Sequence, residues 1–89
     1  MSRQQPVIQL FTVPGCSNCG QARELLLQVL DELELGDLQP EVLDVVENLD
    51  LAVSLGILAT PAIVIDGRLA ITGMPGRQRL RELLEAADG

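Results

Sequence analysis

Two cysteines stand two residues apart in Cys16-Ser17-Asn18-Cys19, and the chain holds no others. They fall between an apolar run, Val7–Thr12 (VIQLFT), and a long amphipathic stretch that opens near Ser17. A continuous apolar run of that length reads as a buried strand, and Val13-Pro14-Gly15 reads as the break after it. The stretch beyond carries Ala22, Leu25, Leu26, Val29, Leu30 and Leu33, the i, i+3, i+4, i+7 spacing of a helix with one buried face. The pair therefore lies at a strand-to-helix junction. That restricts the chain to folds in which a strand hands two thiols directly to the start of a helix.

Helix phase separates the two thiols. Cys19 lies seven residues before Leu26 and three before Ala22, on the buried face. Cys16 precedes the first full turn, at the helix N-terminus, where free N–H groups and the helix dipole favour negative charge. A thiol in such a place has its pKa lowered and is the better nucleophile. Cys16 is the expected attacking thiolate and Cys19 the resolving thiol, which would displace the reduced substrate and close the Cys16–Cys19 bond. Three other readings stay open. A structural disulfide would close so short a loop that chain entropy yields only about 2 kcal/mol. Zinc asks for four ligands, usually Cys or His, so a metal would need a second chain or carboxylates. Two core cysteines without chemistry would leave Cys16, which is off the apolar stripe, unexplained.

Composition narrows the function classes. A chain of 89 residues reads as one domain, residues 1–89, and 47% hydrophobic residues are enough for a core built without a metal or several disulfides. Phe11 is the single aromatic, so aliphatic side chains must fill that core. A net charge of −7 argues against nucleic acid or an anionic membrane as partner. No apolar run reaches the ~18 residues that span a bilayer. The opening Met1–Gln5 has one charged side chain and no apolar core, so it reads as no signal peptide. The expectation is a cytoplasmic protein, and in a reducing compartment a cysteine pair points to redox or metal chemistry. The absence of His, Lys, Tyr and Trp excludes a Cys-His pair, a Ser-His-Asp triad and any His metal site. All basic residues are Arg, a poor proton shuttle. Proton transfer falls to carboxylates, water or the thiols.

The pattern predicts a first helix over Ser17–Leu35 with Gly36 as its stop, and a second strand over Glu41–Val46. A short helix over Asn48–Leu55 follows, with Asn48 as N-cap and Gly56 as its end. Ala62–Ile65 and Arg68–Thr72 read as strands joined by an Asp66-Gly67 turn. The last helix runs over Arg77–Ala87, burying Leu80, Leu83, Leu84 and Ala87 and exposing Arg77, Arg79 and Arg81. The order β-α-β-α-β-β-α gives an α/β fold. Strands 1 and 2 are parallel, strands 3 and 4 form a hairpin, and helices cover both faces of a four-stranded mixed sheet.

Cys16-x-x-Cys19, the later Thr60-Pro61 and Gly73 are spaced as in the thioredoxin superfamily, which the chain resembles from Val7 to Ala87. The stretch LGILATPAIVIDGRLAITGMPGRQRLREL, Leu55 to Leu83, is similar to the small thioredoxin/glutaredoxin-like branch. From its residues alone Pro61 reads as a trans proline opening a strand. The resemblance implies instead a cis Thr60–Pro61 bond packed beside the cysteines, with the Thr60 backbone available to an extended substrate. It implies that Gly73 and Met74 border the same groove, with Val13, Pro14 and Gly15 on its other side. The implied fold is thioredoxin-like, with sheet order 2-1-3-4 and strand 3 antiparallel to strand 1. The implied function is a thiol–disulfide oxidoreductase that reduces protein or small-thiol disulfides and is served by an unidentified reductase or thiol donor. It would work as a monomer, with the redox-active disulfide and no metal or other cofactor.

The chain departs from the superfamily in several places. Gly15 stands where thioredoxins carry Trp, Ser17-Asn18 where they carry Gly-Pro, and Leu10 where they bury an acid. The Pro-Tyr of glutaredoxins and the basic residue before their motif are absent. Arg23 is the nearest cation, two helical turns on, and reads as a solvated helix residue. Ile57–Pro61 (ILATP), after Asp44–Asn48, is also similar to the clock protein KaiB, whose relatives are binding modules, so the alternative function is a thioredoxin-fold module that binds a partner, senses redox state through its cysteines, or holds a metal between two chains.

Overall fold

Ala62–Ile65 is apolar at every position, and both faces of it are covered. In the structure, a computed structural model that describes residues 6–88, it is the strand β3. The other elements are β1 (Ile8–Thr12), α1 (Cys19–Glu32), β2 (Glu41–Asp44), α2 (Leu49–Ser54), β4 (Arg68–Thr72) and α3 (Arg77–Asp88). The strand order is β2-β1-β3-β4, with β1 parallel to β2 and antiparallel to β3, and β3 antiparallel to β4. The opening Met1–Gln5, read above as no leader, lies outside the described residues.

Strand alternation sorts the core into two layers. Ile8, Leu10, Ile63 and Ile65 face α1 and α3, meeting Ala22, Leu26, Val29, Leu30, Leu80 and Leu84. Phe11, Ala62 and Val64 face the other way, onto Ala52 of α2, with Leu43, Leu55 and Ile57 packed around them. Two helices thus cover one face of the sheet and the short α2 the other. The β3–β4 turn has positive φ at both Asp66 and Gly67, as a tight two-residue hairpin requires. Asp66 also ties the turn to the start of β1. Its N–H donates to Val7 O and its carboxylate accepts from Val7 N–H, each at 2.8 Å.

The strands and α3 fall within two residues of expectation, and β2 differs most. It ends at Asp44 rather than Val46, because the chain turns over residues 45–48 and Asp44 Oδ1 accepts the Val46 N–H at 2.7 Å. The expected stop for α1 at Gly36 is corrected. The left-handed residue is Glu34, φ 61°. Around it Leu35 N–H donates to Leu30 O and Glu34 N–H to Asp31 O, the paired bonds of a Schellman ending. Leu35 is buried in the same cluster as Leu30, and that contact sets the stop ahead of the glycine. Asn48 precedes α2 as expected, but its side chain does not cap the helix. It donates instead to Asp44 O at 2.9 Å, joining the turn to β2. Arg81 is more covered than predicted, lying between Glu32 and Glu85, while Arg77 pairs with Glu32 and donates to Gln28 Oε1. Exposed pairs of this kind contribute at most about 1 kcal/mol each, so the apolar layers hold α3 in place. Leu30→Ala, which opens a cavity beneath both α1 and its Schellman ending, is expected to cost about 2–5 kcal/mol in urea denaturation followed by circular dichroism.

Candidate active site

The antiparallel pairing of β1 with β3 brings the end of one strand beside the start of the other, with Phe11 opposite Ala62. Thr12 and Asp44 close the β1–β2 ladder at that same edge, and Thr72 closes the β3–β4 ladder there. Each of the residues singled out in the sequence lies just beyond one of these strand ends. Val13-Pro14-Gly15-Cys16 follows β1, Thr60-Pro61 precedes β3, and Gly73-Met74 follows β4.

Cys16 and Cys19 form a disulfide with Cα atoms 5.5 Å apart. Cys16 is half-buried and Cys19 is 8% exposed, the asymmetry that helix phase predicts. The loop ahead of them turns at Pro14-Gly15, and Cys16 N–H donates to Val13 O at 3.2 Å. The helix starts two residues later than expected, at Cys19, with Asn18 as N-cap and Cys16 two positions outside it. The bridge to Cys19 nevertheless holds the Cys16 sulfur against the first helical residue. The first helical bond runs from Ala22 N–H to Asn18 O at 2.9 Å. The Asn18 side chain makes no cap bond and the first turn has no acidic residue. The N-terminal N–H groups of α1, which helix geometry leaves without carbonyl partners, thus have no carboxylate beside them in that turn.

The Thr60–Pro61 bond is cis. Pro61 is buried and Thr60 half-buried, and the β1–β3 ladder begins at Ala62, so the Thr60 backbone lies beyond the last paired position. Gly73 N–H donates to Pro61 O at 2.7 Å, tying the loop after β4 to the proline. Met74 is exposed and shares a concavity of about 750 Å³ with Ser17, which lies between the two cysteines. Gln21, Arg23, Glu24 and Gln28 of α1 form the rest of its polar lining. Reading the sequence missed these positions, apart from Arg23, because they sit on the polar side of a helix whose apolar side was the stronger signal. The signal was nonetheless present. Positions 17, 21, 24 and 28 recur at helical spacing from the residue between the cysteines. Arg23, expected to be a solvated helix residue, is exposed and lines this concavity.

Leu10, six residues before Cys16, is fully buried in the α1–α3 layer. No polar or charged residue is buried among the described residues, so none stands beneath the disulfide as a proton acceptor. No group of three His, Cys, Asp or Glu side chains suited to a metal lies together among the described residues. What the arrangement can do is exchange disulfides, with one thiol at the surface and its partner behind it.

The family model described as a thioredoxin domain matches residues 7–85. A thioredoxin of Methanocaldococcus jannaschii is 35% identical over 78 residues, which are 88% of this chain and 91% of that one. A probable thioredoxin of Methanothermobacter marburgensis is 36% identical over 80 residues, 86% of this chain and 89% of the other. Among solved structures, a protein disulfide oxidoreductase from Aeropyrum pernix k1 matches 97% of this chain and 38% of its own, with a TM-score of 0.78. At 24% identity that likeness speaks for the fold alone.

Gly73 has φ 80°, and a Cβ built there meets nothing within 4 Å. Gly73→Ala therefore tests backbone conformation without a clash. It is expected to cost about 1–2 kcal/mol in urea denaturation, the penalty of a left-handed L-residue.

Proposed function

The chain belongs to the thioredoxin family and is a thiol–disulfide oxidoreductase, and on that footing we propose that Cys16 is its attacking thiolate and Cys19 its resolving thiol. The observation that carries the assignment is the difference in burial. Cys16 is half-buried at the surface, whereas Cys19 is 8% exposed and turned into the protein. An incoming disulfide meets Cys16 first.

In the reduced protein the Cys16 thiolate attacks one sulfur of the substrate disulfide. A mixed disulfide forms and the other substrate sulfur leaves as a thiolate, which takes up a proton. Cys19 then loses its proton, attacks Cys16 Sγ and releases the second substrate sulfur. Two electrons have passed to the substrate, and the Cys16–Cys19 bond is closed. The N–H groups at the start of α1 favour the Cys16 thiolate. With Leu10 in place of a buried acid, the Cys19 proton goes to water or to the departing sulfur.

Pro14 and Gly15 on one side, and Thr60, Pro61, Gly73 and Met74 on the other, are the proposed substrate contacts. Thr60 offers backbone groups to an extended chain, Pro14, Gly15, Gly73 and Met74 form a largely apolar rim, and Pro61 is buried behind Thr60. The substrate is a disulfide-containing protein or a small-thiol disulfide, and a reductase or thiol donor returns the protein to the dithiol. The proposed working form is a cytoplasmic monomer that needs the dithiol and no other cofactor. No described helix is long and apolar enough to cross a membrane.

Cys16→Ser is expected to abolish turnover on a model disulfide. Cys19→Ser is expected to accumulate mixed disulfides with substrate, visible by intact mass. A Cys16→Ser protein as active as wild type would overturn the assignment. Titration in dithiothreitol buffers of graded ratio, read by alkylation and mass, is expected to show one two-electron transition near the thioredoxin value of about −270 mV. A midpoint well above about −200 mV would make the protein an oxidant, isomerase or sensor instead.

A further inference from the structure

Four of the six residues of α2 are apolar, yet the helix buries only one of them. Ala52 is 1% exposed, while Leu49, Leu51 and Val53 remain 57%, 41% and 69% exposed. Val46, in the preceding turn, is 68% exposed. That turn leads into the helix in phase, with Asn48 N–H on Asp44 O and Ala52 N–H on Asn48 O. Residues 46, 49 and 53 therefore follow the i, i+3, i+7 spacing and form one outward stripe. A contiguous exposed apolar patch marks an interaction surface. A concavity of about 420 Å³ opens on the stripe, lined by Val46, Leu49 and Leu51 together with Glu47 and Asp50.

Two further observations say what covers the stripe. The first is its continuity with the redox site. Val45 N–H donates to Thr12 O at 2.8 Å, and Thr12 leads through Val13, whose carbonyl accepts the Cys16 N–H. The stripe thus begins at Val46, next in the chain to the residue bonded to Thr12, and Thr12 lies four residues before Cys16. The second is charge. From Glu24 to Gly67 the chain has ten Asp and Glu and no basic residue; the six Arg are at positions 3, 23, 68, 77, 79 and 81. Glu47 and Asp50 interleave with the stripe and Asp44 precedes it. A second copy of this chain would set these acids against one another, whereas a basic rim would complement them.

We propose that the Val46–Leu49–Val53 stripe docks a redox partner protein whose apolar contact patch is ringed by Arg or Lys. This rests on Cys16 being the point at which disulfides are exchanged, and it adds which protein surfaces that thiol meets. Opposite charge steers the encounter, and burial of the stripe holds the partner while exchange proceeds.

The test uses the full chain and three synthetic peptides, each with one internal disulfide. One carries a pair of Leu flanked by Arg, one the same pair flanked by Glu, and one Ser in place of Leu with Arg kept. Each is about 12 residues long, with the disulfide closed at one end and the Leu pair or its Ser replacement at the other, so roughly 25 Å of extended chain separates them. Neutral bis(2-hydroxyethyl) disulfide serves as a reference too small to reach the stripe. At low salt the Leu/Arg peptide is expected to be reduced about tenfold faster, as kcat/KM, than either of the others, with the gap over the Glu peptide narrowing at high salt. Val46→Ser combined with Val53→Ser is expected to remove that preference and leave reduction of the small disulfide unchanged. Both side chains are exposed, so melting temperature should hold. Equal rates on the three peptides, or a preference that survives in the double variant, would overturn the docking surface while the redox assignment stands. So would a dimer in sedimentation that dissociates in the double variant. Failure to reduce even the small disulfide would overturn the redox assignment and the docking surface together.

Discussion

The antiparallel pairing of β1 with β3 is the constraint from which the rest of the molecule follows. Ile8 pairs with Ile65, Leu10 with Ile63 and Phe11 with Ala62, and these two inner strands contribute side chains to both apolar layers. A strand covered on both faces cannot shift by one residue without exchanging its two sets of contacts. Register is therefore held by packing as well as by the ladder. The outer strands β2 and β4 each add on one side, and the helices fill what the inner strands leave open.

That same pairing creates the site. Antiparallel register sets the exit of β1 against the entry of β3, so Cys16 and Pro61, far apart in sequence, arrive at one edge of the sheet. The hydrogen bond from Gly73 to Pro61 draws in the loop after β4. The difference between the two thiols is a local matter. Cys19 is the first residue of α1 and falls in phase with Ala22 and Leu26, while Cys16 lies outside the helix. The flanks of the dithiol also differ. Along α1 the wall mixes Gln21, Arg23, Glu24 and Gln28 with Leu25. The α2 surface proposed for docking is apolar and acid-rimmed. A partner can therefore be sorted by charge and surface before any sulfur is exchanged.

Much of this was legible in the sequence, and the parts that were not share a cause. Apolar periodicity located β1, α1, β3, β4 and α3, because burial of one face is a local pattern with a fixed repeat. Helix ends were less legible. Gly36 is the conventional stop, yet Leu35 docks on Leu30 and the left-handed position falls on Glu34. Asn48 has the chemistry of a cap, but its amide is taken by Asp44 O. In both cases a tertiary or turn contact outweighed a local preference of about 1 kcal/mol. The polar lining beside Ser17 and the bare stripe on α2 were missed for a related reason. A sequence shows which residues are apolar but not which of them remain uncovered.

By itself, the sequence determined the class of fold, the order of its elements and the chemistry available to it. Two thiols at a strand-to-helix junction, with no His or Lys anywhere, leave disulfide exchange as the natural reaction, and helix phase alone ranks the thiols by burial. Only the tertiary structure decided what surrounds them. Long-range pairing, through β1 with β3 and Gly73 with Pro61, sets which loops meet at the dithiol. It also decides that Leu49 and Val53 stay in solvent while Ala52 alone reaches Phe11 and its neighbours. Those outcomes depend on how elements distant in the chain fill one another's space, and no local periodicity encodes that.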